Sequence, residues 1–144
     1  MADPEKSLTR DDPGKSLTRD AVRVLLVDDE APFIDALAKV LRRRGYLVET
    51  NYNGPAALAR IAQEPVDVML LDVKMQGMDG LAVLREVKRI APAIAVVLMT
   101  GHLSCDDEAA ALRAGAFAYV FKPHPIDQLV ELIKSAQQRP RDPA

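Results

Sequence analysis

The stretch Val22-Arg-Val-Leu-Leu-Val-Asp-Asp-Glu30 decides the fold. Its apolar run is broken only by Arg23 and stops at a pair of carboxylates. A strand facing water on one side would alternate apolar with polar residues, whereas a near-continuous apolar run is the pattern of a strand covered on both faces, as in parallel sheets. Working outward, Pro32 stands where a proline suits a helix start, and Phe33, Ile34, Leu37, Val40 and Leu41 recur at helical spacing up to Gly45. The alternation then continues. Tyr46 to Thr50 reads as a short strand and Ala56 to Gln63 as a helix closed by Pro65. Val66 to Leu71 is a second apolar run ending at an aspartate, Asp72, and Leu81, Leu84, Val87, Lys88 and Ala91 mark a helix that Pro92 ends. Ile94 to Met99 runs into Thr100-Gly101 and is followed by an alanine-rich helix over Asp106 to Ala114. Phe117 to Phe121 precedes Lys122-Pro123, and Ile126, Leu129, Val130, Ile133 and Ala136 line the last helix. Such alternation predicts an α/β fold, a doubly wound five-stranded parallel sheet with helices on both faces. Ligands of these sheets sit beyond the carboxyl ends of the strands, so residues directly after strands are the candidates for chemistry.

The 144 residues allow one domain of ordinary size with tails, and 49% hydrophobic residues suffice for a core. Nineteen Lys+Arg against 21 Asp+Glu give a net charge of −2, which argues against nucleic-acid binding through phosphate neutralisation. The densest basic run, Arg42-Arg43-Arg44, reads as a solvated helix end. A single cysteine, Cys105, permits no internal disulfide, and with two histidines makes a zinc site improbable. The longest unbroken apolar stretch, Ala93 to Met99, falls far short of the roughly 20 residues of a membrane span, so a cytoplasmic protein is expected. At the N-terminus, Asp3-Pro-Glu-Lys-Ser-Leu-Thr-Arg-Asp11 is followed at once by Asp12-Pro-Gly-Lys-Ser-Leu-Thr-Arg-Asp20, differing only at Glu5 and Gly14. One leucine per unit cannot bury enough surface to offset ordering entropy, so residues 1–20 are expected to form a flexible leader. Gly14-Lys15-Ser16 lacks the upstream glycine and strand of a phosphate-binding loop, Thr9 standing where that glycine is needed. Residues 139–144 read as a polar tail, leaving 21–138 as the folded unit and no room for an output domain within these residues.

The strand-end positions hold Asp28 and Asp29, Asp72, Thr100 and Lys122. Any one of these aspartates suits a helix cap. Together they are a reactive set: three carboxylates gathered at short range repel one another and call for a cation, and all-oxygen ligation suits Mg²⁺. Lys122 supplies an ammonium for phosphoryl oxygens and Thr100 a hydroxyl donor, with the Asp72 carboxylate as nucleophile for an acyl phosphate.

The motifs Val24-Leu-Leu-Val-Asp-Asp-Glu30, Leu70-Leu-Asp-Val-Lys-Met-Gln-Gly-Met-Asp-Gly80, Met99-Thr-Gly-His102 and Tyr119-Val-Phe-Lys-Pro123 resemble those of response-regulator receiver domains of bacterial two-component signalling. The resemblance covers Ala21 to Gln138 and implies a flavodoxin-like strand order 2-1-3-4-5. It implies that Asp72 accepts phosphate from a phosphohistidine on a sensor histidine kinase or phosphotransfer protein. It also implies that Asp29 and Asp72 bind Mg²⁺ directly, Asp28 through water, and Lys74 through its backbone carbonyl. Thr100 is similar to the switch hydroxyl, Tyr119 to its aromatic rotamer partner, and Lys122 to the phosphoryl-binding lysine, with a cis Lys122-Pro123 bond placing it. Phosphorylation is expected to draw Thr100 inward, let Tyr119 pack, and alter the face of the fourth helix, fifth strand and fifth helix, where a downstream protein or a second receiver docks. An aromatic in a strand is ordinarily packing; the three-residue spacing from Tyr119 to Lys122 favours the switch reading. Gln76 stands where a proline is common, His124 where an apolar residue is, and Lys74 and His102 border the expected path of hydrolytic water.

Two rivals carry less. A haloacid-dehalogenase-type phosphatase needs a second aspartate two residues after its nucleophile, where Asp28 has Glu30 and Asp72 has Lys74. A pseudo-receiver acting purely as an interaction module has no need of five intact site residues.

Overall fold

A computed structural model of the chain describes residues 21–75, 78–101, 105–122 and 125–138. The leader, the tail, Gln76, His102, Pro123 and His124 lie outside the described residues, and with them the expectations about the repeat and the Lys122-Pro123 bond. The chain order is β1 (Arg23–Val27), α1 (Ala31–Arg43), β2 (Leu47–Asn51), α2 (Gly54–Gln63), β3 (Val68–Asp72), β4 (Lys74–Met75), β5 (Met78–Asp79), α3 (Gly80–Ile90), β6 (Ala95–Thr100), α4 (Cys105–Arg113), β7 (Ala118–Phe121) and α5 (Ile126–Gln138). Five of the strands form one sheet in the order β2-β1-β3-β6-β7, every pairing parallel. Counted along that sheet, this is the expected 2-1-3-4-5 order. The short antiparallel pair β4 and β5 has no counterpart among the strands expected from sequence, because a two-residue strand has no periodicity to detect.

The buried strands sort their side chains onto two layers. Leu25, Val27, Met69, Leu71, Val96 and Leu98 face α2, α3 and α4 through Ala57, Ile61, Val83, Leu84, Val87 and Ala111. The alternate residues, Val24, Leu26, Val68, Leu70, Val97 and Met99, meet Ile34, Ala38 and Leu41 of α1 and Leu129, Val130 and Ile133 of α5. This period-two division explains why the strands read as continuous apolar runs: both faces are interior.

Helix ends are set by local chemistry. The second helix starts two residues earlier than its apolar spacing suggested, because Asn53 caps it through Ala56 N (2.8 Å) and Pro55 fits the first turn. Asp79 caps α3 through Leu81 N at 3.0 Å. The Arg42 to Arg44 run is more engaged than a solvated helix end: Arg42 donates to the Val48 carbonyl at 2.8 Å, and Arg44 pairs with Asp127 at 2.9 Å.

Gly80 ties α3 to the strand that carries Asp72. Its N–H donates to the Val73 carbonyl at 2.7 Å, and a Cβ there would lie 2.5 Å from the Asp72 carbonyl oxygen and 2.7 Å from Val73 Cα. Both obstacles are backbone, so only glycine permits the approach. Gly80→Ala is expected to lower stability by about 1–3 kcal/mol, the usual cost of overpacking, read as a lower urea midpoint at unchanged slope.

Candidate functional site

The parallel register assembles the site. Continuing the pairs Leu26↔Leu70 and Val27↔Leu71 one step sets Asp28 against Asp72, and Asp72 itself pairs with Met99, whose successor is Thr100. The strand ends are bonded to one another: Asp28 N to Asn51 O (3.1 Å), Val73 N to Met99 O (2.9 Å) and Lys122 N to Thr100 O (2.7 Å). Asp28 and Asp72 are therefore carried on backbone that the sheet fixes, as are Thr100 and Lys122.

Asp72, Thr100 and Lys122 line an open pocket of about 620 Å³ together with Asp29, Glu30, Phe33, Lys74 and Gly101. Asp28, Asp72 and Thr100 are buried and Asp29 is exposed. One carboxylate oxygen from each of Asp28, Asp29 and Asp72 falls within a cluster no more than 4.8 Å across. Oxygens bound about 2.1 Å from a six-coordinate ion lie roughly 3 Å apart when adjacent and about 4.2 Å apart when opposite, so this donor set fits a small hard cation.

Lys122 stands among these acids. Its Nζ lies 2.7 Å from Asp28 Oδ2, 2.5 Å from Glu30 Oε1 and 3.7 Å from Asp72 Oδ2, with the Phe33 ring centroid at 4.8 Å. Burial alone would lower the lysine pKa, but hydrogen bonds to Asp28 and Glu30 and the charges of Asp72 and Asp28 outweigh it and raise the value. Asp72 moves the other way from an ordinary aspartate. Burial first, then the neighbouring Asp28 charge, push it up to about 6, against the opposing pull of Lys122 and of the Lys74 N–H, which donates to Asp72 Oδ1 at 3.3 Å. The pocket thus contains a carboxylate whose charge is costly to keep and an ammonium beside it.

Of the residues singled out from sequence, Asp28, Asp29, Asp72, Thr100 and Lys122 converge, and Lys74 sits at the rim. Tyr119 is not in the pocket lining. It is already buried in the layer formed with Leu98, Ala111 and Ala116, on the sheet face that Thr100 shares by its two-residue offset from Leu98. Sequence reasoning assigned no role to Glu30 or Phe33. Phe33 was taken for helix stripe alone, and the one signal for Glu30 was its place directly after the acidic pair, at the start of α1.

A parallel α/β sheet with an acidic, lysine-containing pocket at its carboxyl edge places the candidate site where doubly wound folds bind their ligands. The chain belongs to the response-regulator receiver domain family, whose model matches residues 24–134. It is 38% identical over 121 residues to the transcriptional regulatory protein ZraR of Salmonella typhimurium, covering 84% of this chain but 27% of that relative. The chain thus spans about a quarter of the length of that curated relative. A CheY-like receiver domain protein from Methanospirillum hungatei superposes with TM-score 0.79 at 31% identity, over 82% of this chain and 94% of that one. A response regulator from Burkholderia pseudomallei, solved with a phosphorylated aspartic acid, a calcium ion and citrate, superposes with TM-score 0.75 at 25% identity, over 81% and 69%. Among the described residues, no helix is long and apolar enough to cross a membrane.

The raised Asp72 pKa has a thermodynamic consequence. The folded state holds the proton up to about pH 6 while an unfolded aspartate releases it near 3.8, so this group's contribution is complete below the lower value and is lost as pH rises through the upper one. In EDTA at pH 7.5, Asp72→Asn is expected to be more stable than the parent by about 1–2 kcal/mol, less than full linkage gives because the pocket is open to water. The gap should close by pH 4 in paired denaturation curves. A gap independent of pH would show that the carboxylate is not strained by its surroundings.

Proposed function

We propose that this chain is a phosphorylation switch that accepts a phosphoryl group on Asp72 from a phosphohistidine of a sensor histidine kinase or phosphotransfer protein. The observation that carries this reading is the Asp72 carboxylate, buried and raised in pKa, 3.7 Å from the Lys122 ammonium in a pocket that holds two further aspartates. The aspartyl phosphate and calcium ion of the Burkholderia relative support it. Transfer would form a bond from an Asp72 carboxylate oxygen to phosphorus as the partner's P–N bond breaks, the electron pair leaving on the imidazole nitrogen. Asp29 and Asp72 would hold Mg²⁺ directly, Asp28 through water, and Lys74 through its carbonyl. Bound there, the ion would neutralise the charge that gathers on phosphoryl oxygens. Lys122 would grip one of those oxygens, and the buried Thr100 hydroxyl would donate to another. The chain promotes only its own phosphorylation and dephosphorylation on this reading, and residues 21–138 form the complete receiver unit.

The output face would be α4, β7 and α5. Leu112 and Phe121 are half-exposed there, and a groove of about 490 Å³ is lined by Val120, Asp127, Gln128, Glu131, Leu132 and Ser135. A downstream protein or a second receiver would dock there once Thr100 moves toward the phosphoryl group and Tyr119 repacks, as a shift between two populated states.

With acetyl phosphate and Mg²⁺, one acid-stable, hydroxylamine-labile phosphoryl group per chain is expected, absent in EDTA and absent in Asp72→Asn. Lys122→Ala should slow labelling by about tenfold or more, the scale of a lost hydrogen bond to a charged group. Stoichiometric labelling that survives Asp72→Asn would refute the assignment.

A further inference from the structure

We infer that Glu30 is a positioning residue that restrains Lys122 and so limits the rate at which this chain accepts phosphate; the inference rests on Asp72 being the phosphoacceptor. An ammonium has three N–H donors in tetrahedral array. In this structure its close contacts are Glu30 at 2.5 Å and Asp28 at 2.7 Å, whereas Asp72, at 3.7 Å, lies beyond hydrogen-bond length. The group that should attend the nucleophile is thus held by two other acids, and Glu30 holds it most closely.

The local structure makes this arrangement specific to the Glu30 side chain. Glu30 occupies the N-cap of α1, yet its carboxylate makes no capping hydrogen bond, the usual service of a polar side chain at that position. Its backbone is well anchored: its N–H donates to Asp28 Oδ1 at 2.8 Å, and its carbonyl accepts from Phe33 N and Ile34 N. The side chain is left to lean across the pocket mouth to Lys122, which is itself flanked by the Phe33 ring. Its carboxylate is 62% exposed and the lysine only 12%. The pair is therefore weak enough to break, because water can take back the carboxylate. Asp28 is fully buried and cannot release the lysine so cheaply. When Asp72 is phosphorylated, the dianionic group offers the lysine a stronger acceptor and repels Glu30, and Lys122 Nζ exchanges Glu30 for a phosphoryl oxygen. Until then, the Lys122–Glu30 contact competes with the approach of Lys122 Nζ to the incoming phosphoryl group.

The test is the rate of Asp72 labelling by acetyl phosphate at saturating Mg²⁺, with the lifetime of the aspartyl phosphate measured in the same samples. Glu30→Gln should raise the labelling rate by about two- to fivefold, the range of a partly exposed ion pair, and should lengthen the lifetime in the same direction. Glu30→Asp keeps the charge but shortens the reach, and is expected to behave like Glu30→Gln. Behaviour like the parent would show that the field of the charge acts, rather than its grip on the lysine, and would overturn the proposal. In a Lys122→Ala background, Glu30→Gln should change nothing; an equal acceleration there would also overturn it, because Glu30 would then act without Lys122. The two readings fail separately. Labelling that persists in Asp72→Asn removes the phosphoacceptor assignment, whereas labelling confined to Asp72 with no response to Glu30→Gln removes only the restraint.

Discussion

The arrangement that the rest of the site depends on is the enforced proximity of like charges at one edge of the sheet. Asp28 and Asp72 are set side by side by the β1 to β3 register, and Asp29 follows in the chain. Left to themselves these carboxylates would repel, and burial raises the cost of each charge. Lys122 offsets part of that cost by pairing with Asp28 and facing Asp72, but one ammonium cannot balance three carboxylates and Glu30. The deficit is visible in Asp72, whose pKa rises to about 6 despite the lysine beside it. A site that is stable only at the expense of a carboxylate's charge is one that gains from a cation.

The scaffold can bear this strain because its own demands are met elsewhere. Two apolar layers cover the sheet, and the strands that carry Asp28, Asp72 and Thr100 are among the most buried parts of the molecule. Gly80 then presses the start of α3 directly onto the backbone of Asp72 and Val73, where no side chain would fit. The backbone beside Asp72 is thereby braced from two directions: by the sheet through Val73 N and Met99 O, and by the helix through Gly80 N and Val73 O. Movement of Asp72 away from its neighbours would break main-chain bonds, so its charge stays where it is unfavourable.

Much of this was legible in the sequence because parallel sheets write it plainly. Continuous apolar runs ending in Asp28, Asp72 and Thr100, each followed by a helical pattern, give the layers, the class of fold and the edge where function lies. The five converging residues are strand-end residues, and their positions follow from topology alone. What was not legible depends on side-chain direction or on very short elements. The β4 and β5 pair is too brief to have a period, and the contact between Glu30 and Lys122 joins residues far apart in the chain. Tyr119, expected as the aromatic rotamer partner of Thr100, lies buried beside Leu98 and Ala111 on the sheet face that Thr100 shares.

Three consecutive acids, Asp28, Asp29 and Glu30, end in three different environments, and the reason is the turn from strand to helix. Asp28 keeps the alternation of β1, so its side chain points to the same side as Val24 and Leu26 and is fully buried against Lys122. Asp29 comes after the last ladder position and lines the open pocket. Glu30 is the N-cap of α1, its own backbone not yet helical: its carbonyl accepts the first helical bonds and its side chain reaches Lys122 across the pocket mouth. Identical charge thus acquires three different free energies from backbone conformation alone. A buried carboxylate holds the lysine from within, an exposed one lies close to Asp28 and Asp72 at the pocket, and one at the mouth meets the same lysine from the solvent side. Composition could not have revealed this, since a net charge of −2 averages over all of it. One backbone turn thus separates three acids by burial and by partner, a distinction that their order in the chain does not carry.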